Sequence, residues 1–160
     1  MIHTIFLALG TNLGDRLVNL ETALECMSPG VIVHKRSSIY ETPPWGFTDQ
    51  PAFLNMVVQA ETQFSPWKLL KTIKKLEGGM GRQPTFRNGP RLIDIDILFY
   101  DDITSEQPGL VIPHPCIQER AFVLVPLAEI APDYLHPVLQ VTIQDLLTRV
   151  ESLDIKIYLP

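Results

Sequence analysis

Gly89-Pro-Arg91-Leu-Ile-Asp94-Ile-Asp96-Ile-Leu-Phe99 reads as a β-strand entered from a loop. From Ile93 to Ile97 aliphatic and acidic residues alternate, and successive side chains on a strand point to opposite faces. Ile93, Ile95 and Ile97 therefore share a face suited to a core, while Asp94 and Asp96 share the other. Two neighbouring carboxylates repel each other unless a cation lies between them. An all-oxygen pair with room for water suits Mg²⁺. Just upstream, Arg82, Arg87 and Arg91 stand in a Gly/Pro-bearing loop, with no acidic residue from Gly78 to Ile93. Guanidinium groups lacking a local acidic partner suit an anionic ligand. The same D-x-D spacing also occurs on plain solvated strands, so the arginine loop decides the reading. Magnesium beside such a loop is equipment for holding a polyphosphate.

Working outward, the hydrophobic pattern gives a strand over ~2–9 and a helix over ~15–27 striped by Leu17, Leu20, Leu24 and Met27. Strands follow over ~31–41 and ~53–62. A second helix over ~66–78 has Ser65 as N-cap and Pro66 at its first position. Its stripe is Leu69, Leu70, Ile73 and Leu76, and Gly78-Gly79 ends it. The Asp-bearing strand closes the series at ~92–99. The order β-α-β-β-α-β is an α+β, ferredoxin-like arrangement, with an antiparallel sheet and both helices on one face. C-terminal additions follow: a helix at ~121–131, interrupted by Pro126 unless that residue lies in the first turn; a helix at ~143–151 opened by Thr142 and Asp145; and a short strand at Ile155–Leu159.

The 160 residues suffice for one domain with a real core and are too few for two, so residues 1–160 read as a single domain. A net charge of −5 argues against nucleic-acid or membrane-surface partners, and a basic island in an acidic chain suits a small anion. No apolar run approaches a membrane span. The N-terminus reads as a strand and not as a signal peptide. Cys26 and Cys116 match neither a C-x-x-C nor a zinc pattern, which fits a cytoplasmic, reducing setting. The fourteen prolines concentrate in connections, marking structured loops.

Fold alone does not decide function. RNA-binding domains of this shape need stacking aromatics on the central strands. Only Phe6 is offered on the first strand. There is no G-x-x-x-x-G-K-[ST] phosphate loop. A haloacid-dehalogenase-type D-x-D would end a first strand, not the last strand of this unit. The long loop Thr42-Pro43-Pro-Trp45-Gly-Phe-Thr-Asp-Gln-Pro-Ala-Phe53-Leu-Asn55 is rich in proline and aromatics. Phe53 and Asn55 share a strand face, and a ring beside an amide can stack on a flat heterocycle and read its edge. An ordinary core contact with a satisfied amide is the simpler account of that pair alone. His114 and Arg120, in Ile112-Pro-His114 and Glu119-Arg120-Ala-Phe122, could join the anion site. Lys74 and Glu77 read most simply as a solvated i,i+3 ion pair. His3, His34 and His136 have no supporting context.

Gly10-Thr-Asn-Leu-Gly14, Tyr40-Glu-Thr-Pro-Pro44, Asp49-Gln-Pro-Ala-Phe-Leu-Asn55, Gly81-Arg82, Gly89-Pro-Arg-Leu-Ile-Asp-Ile-Asp96, Pro113-His114 and Arg120-Ala-Phe122 occur in one order across residues ~5 to ~132. In that order they resemble the 6-hydroxymethyl-7,8-dihydropterin pyrophosphokinase family of folate biosynthesis. The resemblance implies a Mg²⁺-dependent transfer of pyrophosphate from ATP to the pterin hydroxymethyl group, releasing AMP. By the family's pattern, Asp94 and Asp96 hold two Mg²⁺ ions, and Arg82 and Arg91 act on the transferring group. Lys74, Glu77, Arg87, Arg91, His114, Arg120 and the backbone at Ile97 bind ATP. Thr42, Pro43, Trp45, Phe53, Asn55 and Phe122 enclose the pterin. The implied partners are these two small molecules, and the implied state is a monomer. Departures are Asn88, where Trp is common, an arginine loop one residue shorter than in some members, and Pro115, where an aromatic is common. The competing class is a regulatory module that binds Mg-ATP without catalysis.

Overall fold

A computed structural model describes all residues, Met1–Pro160. β1 (His3–Thr11) runs into α1 (Arg16–Met27), where Asp15 caps the helix by accepting from Val18 N at 3.2 Å. The expected third element is divided into β2 (Val31–Arg36) and β3 (Tyr40–Thr42). The break is at Ser37, whose N and Oγ bond the backbone of Val57. β4 (Phe53–Thr62) lies against both pieces. α2 (Pro66–Gly79) has the expected Ser65 cap, which accepts from Lys68 N. β5 (Asp94–Tyr100) completes the run. A hairpin of β6 (Ser105–Gln107) and β7 (Leu110–Ile112), not foreseen in the sequence, follows.

The fold is α+β, built on an antiparallel sheet in the order β5-β1-β4-β3-β8, with β2 also paired to β4. On one face, Ile5, Leu7, Leu9, Leu54, Met56 and Ile95 pack against Leu20 and Leu24 of α1 and Leu69 and Ile73 of α2. The opposite face is also covered, in part, by α3 (Ala121–Ile130) and α4 (Ile143–Leu147). Phe6, Val57, Leu98 and Phe99 meet Val123, Leu124, Leu127 and Leu146 there. Phe6 is therefore consumed in a core and offers no stacking surface.

Pro126 lies at the sixth position of α3, and the helix runs through it, contrary to the expected interruption. Proline removes one helical N–H, but Val123, Leu124, Pro126 and Leu127 are buried, and that packing outweighs one lost bond. α4 stops at Leu147, short of the expected 151, with Thr142 Oγ1 accepting from Asp145 N as foreseen. The final strand, β8, is only Lys156–Ile157. No helix is long and apolar enough to cross a membrane.

Candidate active site

Where α3 and α4 do not cover the second face of the sheet, a cavity of about 310 Å³ opens over the ends of β1, β4 and β5. Strand alternation places its floor. Ala8 and Gly10 of β1, Asn55 of β4, and Asp94 and Asp96 of β5 line it, and they are cross-strand neighbours: Gly10 lies opposite both Asn55 and Asp94, and Ala8 opposite Asp96. Ile93, Ile95 and Ile97 belong to the helix-side core, as the alternation requires.

The loops supply the walls. Lys74, Arg82, Arg87, Arg91, His114 and Arg120 line the cavity, as do Thr42, Pro43, Trp45, Phe53 and Phe122. The structure thus brings together fourteen of the sixteen residues singled out from sequence. Glu77 and Ile97 do not line the cavity. Ile97 turns its side chain into the helix-side core. Glu77 is only 2% exposed, which corrects the solvated-pair reading. Its Oε2 accepts from Arg82 Nη1 at 2.5 Å and from Ile95 N at 2.9 Å, and Lys74 Nζ lies 3.3 Å from Oε1. β5 is the sheet edge, so its outer backbone needs partners other than a strand; Glu77 is one. His114 N, donating to Leu98 O at 3.1 Å, is another.

The expectation that the arginines lack acidic partners also needs correction. Arg82 Nη1 bridges Glu77 and Asp94 Oδ1, the latter at 3.1 Å, and Arg91 Nε stands 3.9 Å from the same oxygen. Those acids lie just beyond either end of the acid-free stretch, and the loop folds back onto them. Arg87 has no acidic partner.

Asp96, unlike Asp94, forms no salt bridge with an arginine or lysine. Burial, reinforced by the charge of Asp94, raises its carboxyl to about 7, against the lowering influence of Arg120 and Lys74. His114 is pushed down to about 4 by burial and by Arg120. Its Nδ1 accepts from Cys116 N at 3.2 Å, which leaves the proton of the neutral ring on Nε2, 3.9 Å from Asp96 Oδ2. Two same-face carboxylates, one of them raised by burial and by its neighbour's charge, fit a divalent cation. The donor set is oxygen only, which suits Mg²⁺ with water and phosphate oxygens completing the shell.

On the apolar wall, Asn55 Nδ2 donates to Thr42 Oγ1 at 2.7 Å, and the Trp45 and Phe122 rings lie 6.0 Å apart. The Arg120 guanidinium stands 5.6 Å from the Phe122 ring and joins this wall to the charged cluster. Gly10 permits the arrangement: a Cβ there would meet Asn55 Oδ1 at 2.6 Å.

Sequence reasoning missed the residues that hold these loops together. Asn12 N donates to Arg91 O, and Arg91 N donates to Asn12 Oδ1 at 2.8 Å. Asn12 Nδ2 donates to Gln50 Oε1 at 2.9 Å, and Gln50 Nε2 to Asn88 O at 2.6 Å. Both residues sat inside quoted motifs, and that was the available signal. Asn88 has φ 59°, a left-handed conformation that Asn tolerates better than most side chains.

Residues 6–132 match the model of the family described as 7,8-dihydro-6-hydroxymethylpterin-pyrophosphokinase. The chain belongs to that family. It is 48% identical over 130 residues to the 2-amino-4-hydroxy-6-hydroxymethyldihydropteridine pyrophosphokinase of Methylorubrum extorquens, covering 80% of this chain and 82% of that protein. It is 42% identical over 140 residues to the folic acid synthesis protein FOL1 of Dictyostelium discoideum, covering 88% of this chain. It spans only 21% of that longer relative. The fold is similar to a crystal structure of Plasmodium falciparum HPPK-DHPS with pteroate, with a TM-score of 0.78 and 22% identity, covering 93% of this chain and 42% of that one. The pyrophosphokinase family match spans every residue of the cavity, from Ala8 to Val123, and ends before α4 and β8.

Proposed function

We propose that this protein transfers the β,γ-pyrophosphoryl group of ATP to the hydroxymethyl oxygen of 6-hydroxymethyl-7,8-dihydropterin, releasing AMP. One observation carries the reading: a single cavity combines the guanidinium cluster and paired aspartates with a wall of rings and a held amide. A module that only binds Mg-ATP would have no use for the second set.

Asp94 and Asp96 would hold Mg²⁺, two ions in this reading, which offsets phosphate charge when bound. Phosphoryl-type transfer depends mainly on alignment and charge stabilisation. Arg82 and Arg91, already gathered at Asp94, are placed to exchange that carboxylate for phosphate oxygens. Arg87, Arg120 and Lys74 add positive charge along the nucleotide, and neutral His114 offers an Nε2 proton to an oxygen. Thr42 fixes the Asn55 amide, leaving its Oδ1 to accept from the pterin edge. Phe53, Phe122, Trp45 and Pro43 supply flat apolar contact and exclude water. Glu77 acts from behind by aiming Arg82 and holding β5.

The same reading takes residues 1–160 as one ferredoxin-like βαββαβ pyrophosphokinase domain with a C-terminal addition, monomeric and cytoplasmic. Incubating the protein with ATP, Mg²⁺ and the hydroxymethyl-dihydropterin, then resolving nucleotides, tests the reaction. AMP should appear in step with the pterin diphosphate. ADP as product, or no AMP, overturns it.

A further inference from the structure

The last strand of the chain lies beyond the family-matched span, yet it enters the scaffold of the site. β8 pairs with β3, Tyr40 opposite Ile157 and Glu41 opposite Lys156, and Tyr158 N donates to Ile39 O at 2.8 Å. A side chain from far away in sequence gathers these pieces. Arg16, the first residue of α1, donates from Nη1 to Ala52 O at 3.0 Å and lies 2.8 Å from Glu41 Oε2. Its guanidinium carbon stands 5.4 Å from the centre of the Tyr158 ring. Ala52 immediately precedes Phe53, and Glu41 immediately precedes Thr42; both successors line the cavity. On the outer side of Trp45 and Phe122, residues 151–155 close a second cavity of about 250 Å³. The C-terminal segment therefore backs the same wall.

We propose that Arg16 is a positioning residue for the pterin wall, locking the entry to β4 and seating the C-terminal strand against β3. This rests on the reading of that wall as a pterin pocket. Arg16 does not line the cavity and acts through Phe53 and Thr42. A planar guanidinium can donate along two directions while its face stacks on a ring, which a lysine ammonium cannot reproduce. Partly exposed ion pairs contribute little to global stability, so the consequence is local.

The test is calorimetry on Arg16→Ala, Arg16→Lys and Tyr158→Ser, each with two titrations. One uses Mg²⁺ with α,β-methylene-ATP alone. The other adds 6-hydroxymethylpterin to the protein already saturated with that nucleotide. Arg16→Ala should weaken pterin binding about tenfold, the scale of a lost charge-assisted hydrogen bond. Nucleotide affinity should stay within about twofold, and kcat with both substrates saturating should stay near wild type. Arg16→Lys should recover part of the loss, and Tyr158→Ser should show a smaller loss of the same kind. Unchanged pterin affinity, or equal loss for both ligands, overturns the proposal. If Arg16→Ala does not fold, the other two variants decide by the same titrations. A wild-type protein that binds nucleotide but no pterin instead refutes the proposed function itself.

Discussion

Arg82 Nη1 touches Glu77 Oε2 at 2.5 Å and Asp94 Oδ1 at 3.1 Å, so one guanidinium links a buried acid to a cavity acid. Glu77 also accepts from Ile95 N, so its removal leaves a backbone N–H without a partner and Arg82 with Asp94 alone. Breaking a buried pair on one side costs about 3 kcal/mol or more. Glu77→Ala should lower the unfolding free energy by an amount of that order, even without ligand, and shift the denaturation midpoint down accordingly. A midpoint equal to wild type would show that Glu77 bears no structural load.

Arg82→Ala should reduce kcat about a hundredfold or more, the scale for losing a preorganised donor at developing charge. ATP affinity should change far less, because in the resting site Arg82 is already committed to acids. Steady-state kinetics separate the two effects. A change confined to KM would contradict this role.

Asp94→Asn and Asp96→Asn should each abolish Mg²⁺-dependent turnover without unfolding the protein. Each side chain is 31% exposed at the cavity floor and lies outside the two cores. Turnover in increasing Mg²⁺, with circular dichroism as the fold control, reads this. Full activity in either variant would remove that residue from the metal assignment.

Gly10→Ala should act on the pterin alone. The added methyl would sit 2.6 Å from Asn55 Oδ1 and displace the amide that Thr42 holds. Pterin affinity should fall about tenfold, the scale of one buried hydrogen bond misplaced. Affinity for an ATP analogue should not move, and calorimetry with each ligand distinguishes the outcomes.

Asp96 and His114 face each other at 3.9 Å and are shifted in opposite senses, to about 7 and about 4. Between roughly pH 4 and 6.5, folded Asp96 keeps a proton that the unfolded chain has released, so its contribution to stability falls as pH rises. Folded His114 lacks a proton that the unfolded chain holds, so its contribution rises with pH. The two oppose each other across that window. Without divalent cations, Asp96→Asn should make stability climb more steeply from pH 4 to 6.5 than wild type, and His114→Gln should tilt it the other way. Denaturant midpoints at several pH values check this; parallel curves for all three proteins would contradict it.

The alternation from Ile93 to Ile97 was legible in the sequence because strand geometry is local: residue spacing alone sends aspartates to one face and isoleucines to the other. The helix stripes and the Ser65 and Thr142 caps were legible for the same reason, since each involves residues three or four apart. Much of the cavity lining, including Asn55, Arg91, Asp94 and His114, falls inside the motifs. What tertiary structure alone decided are relations between distant segments. Glu77 looked solvated beside Lys74 until β5 covered it, and the arginines looked free until their loop folded back onto Glu77 and Asp94. α3 ran through Pro126 because packing on the sheet outweighed a local penalty. Asn12 met Gln50, and Arg16 met Tyr158, through closures that no spacing rule encodes. Local patterns fix which way a side chain points; only the packed chain fixes what it meets there.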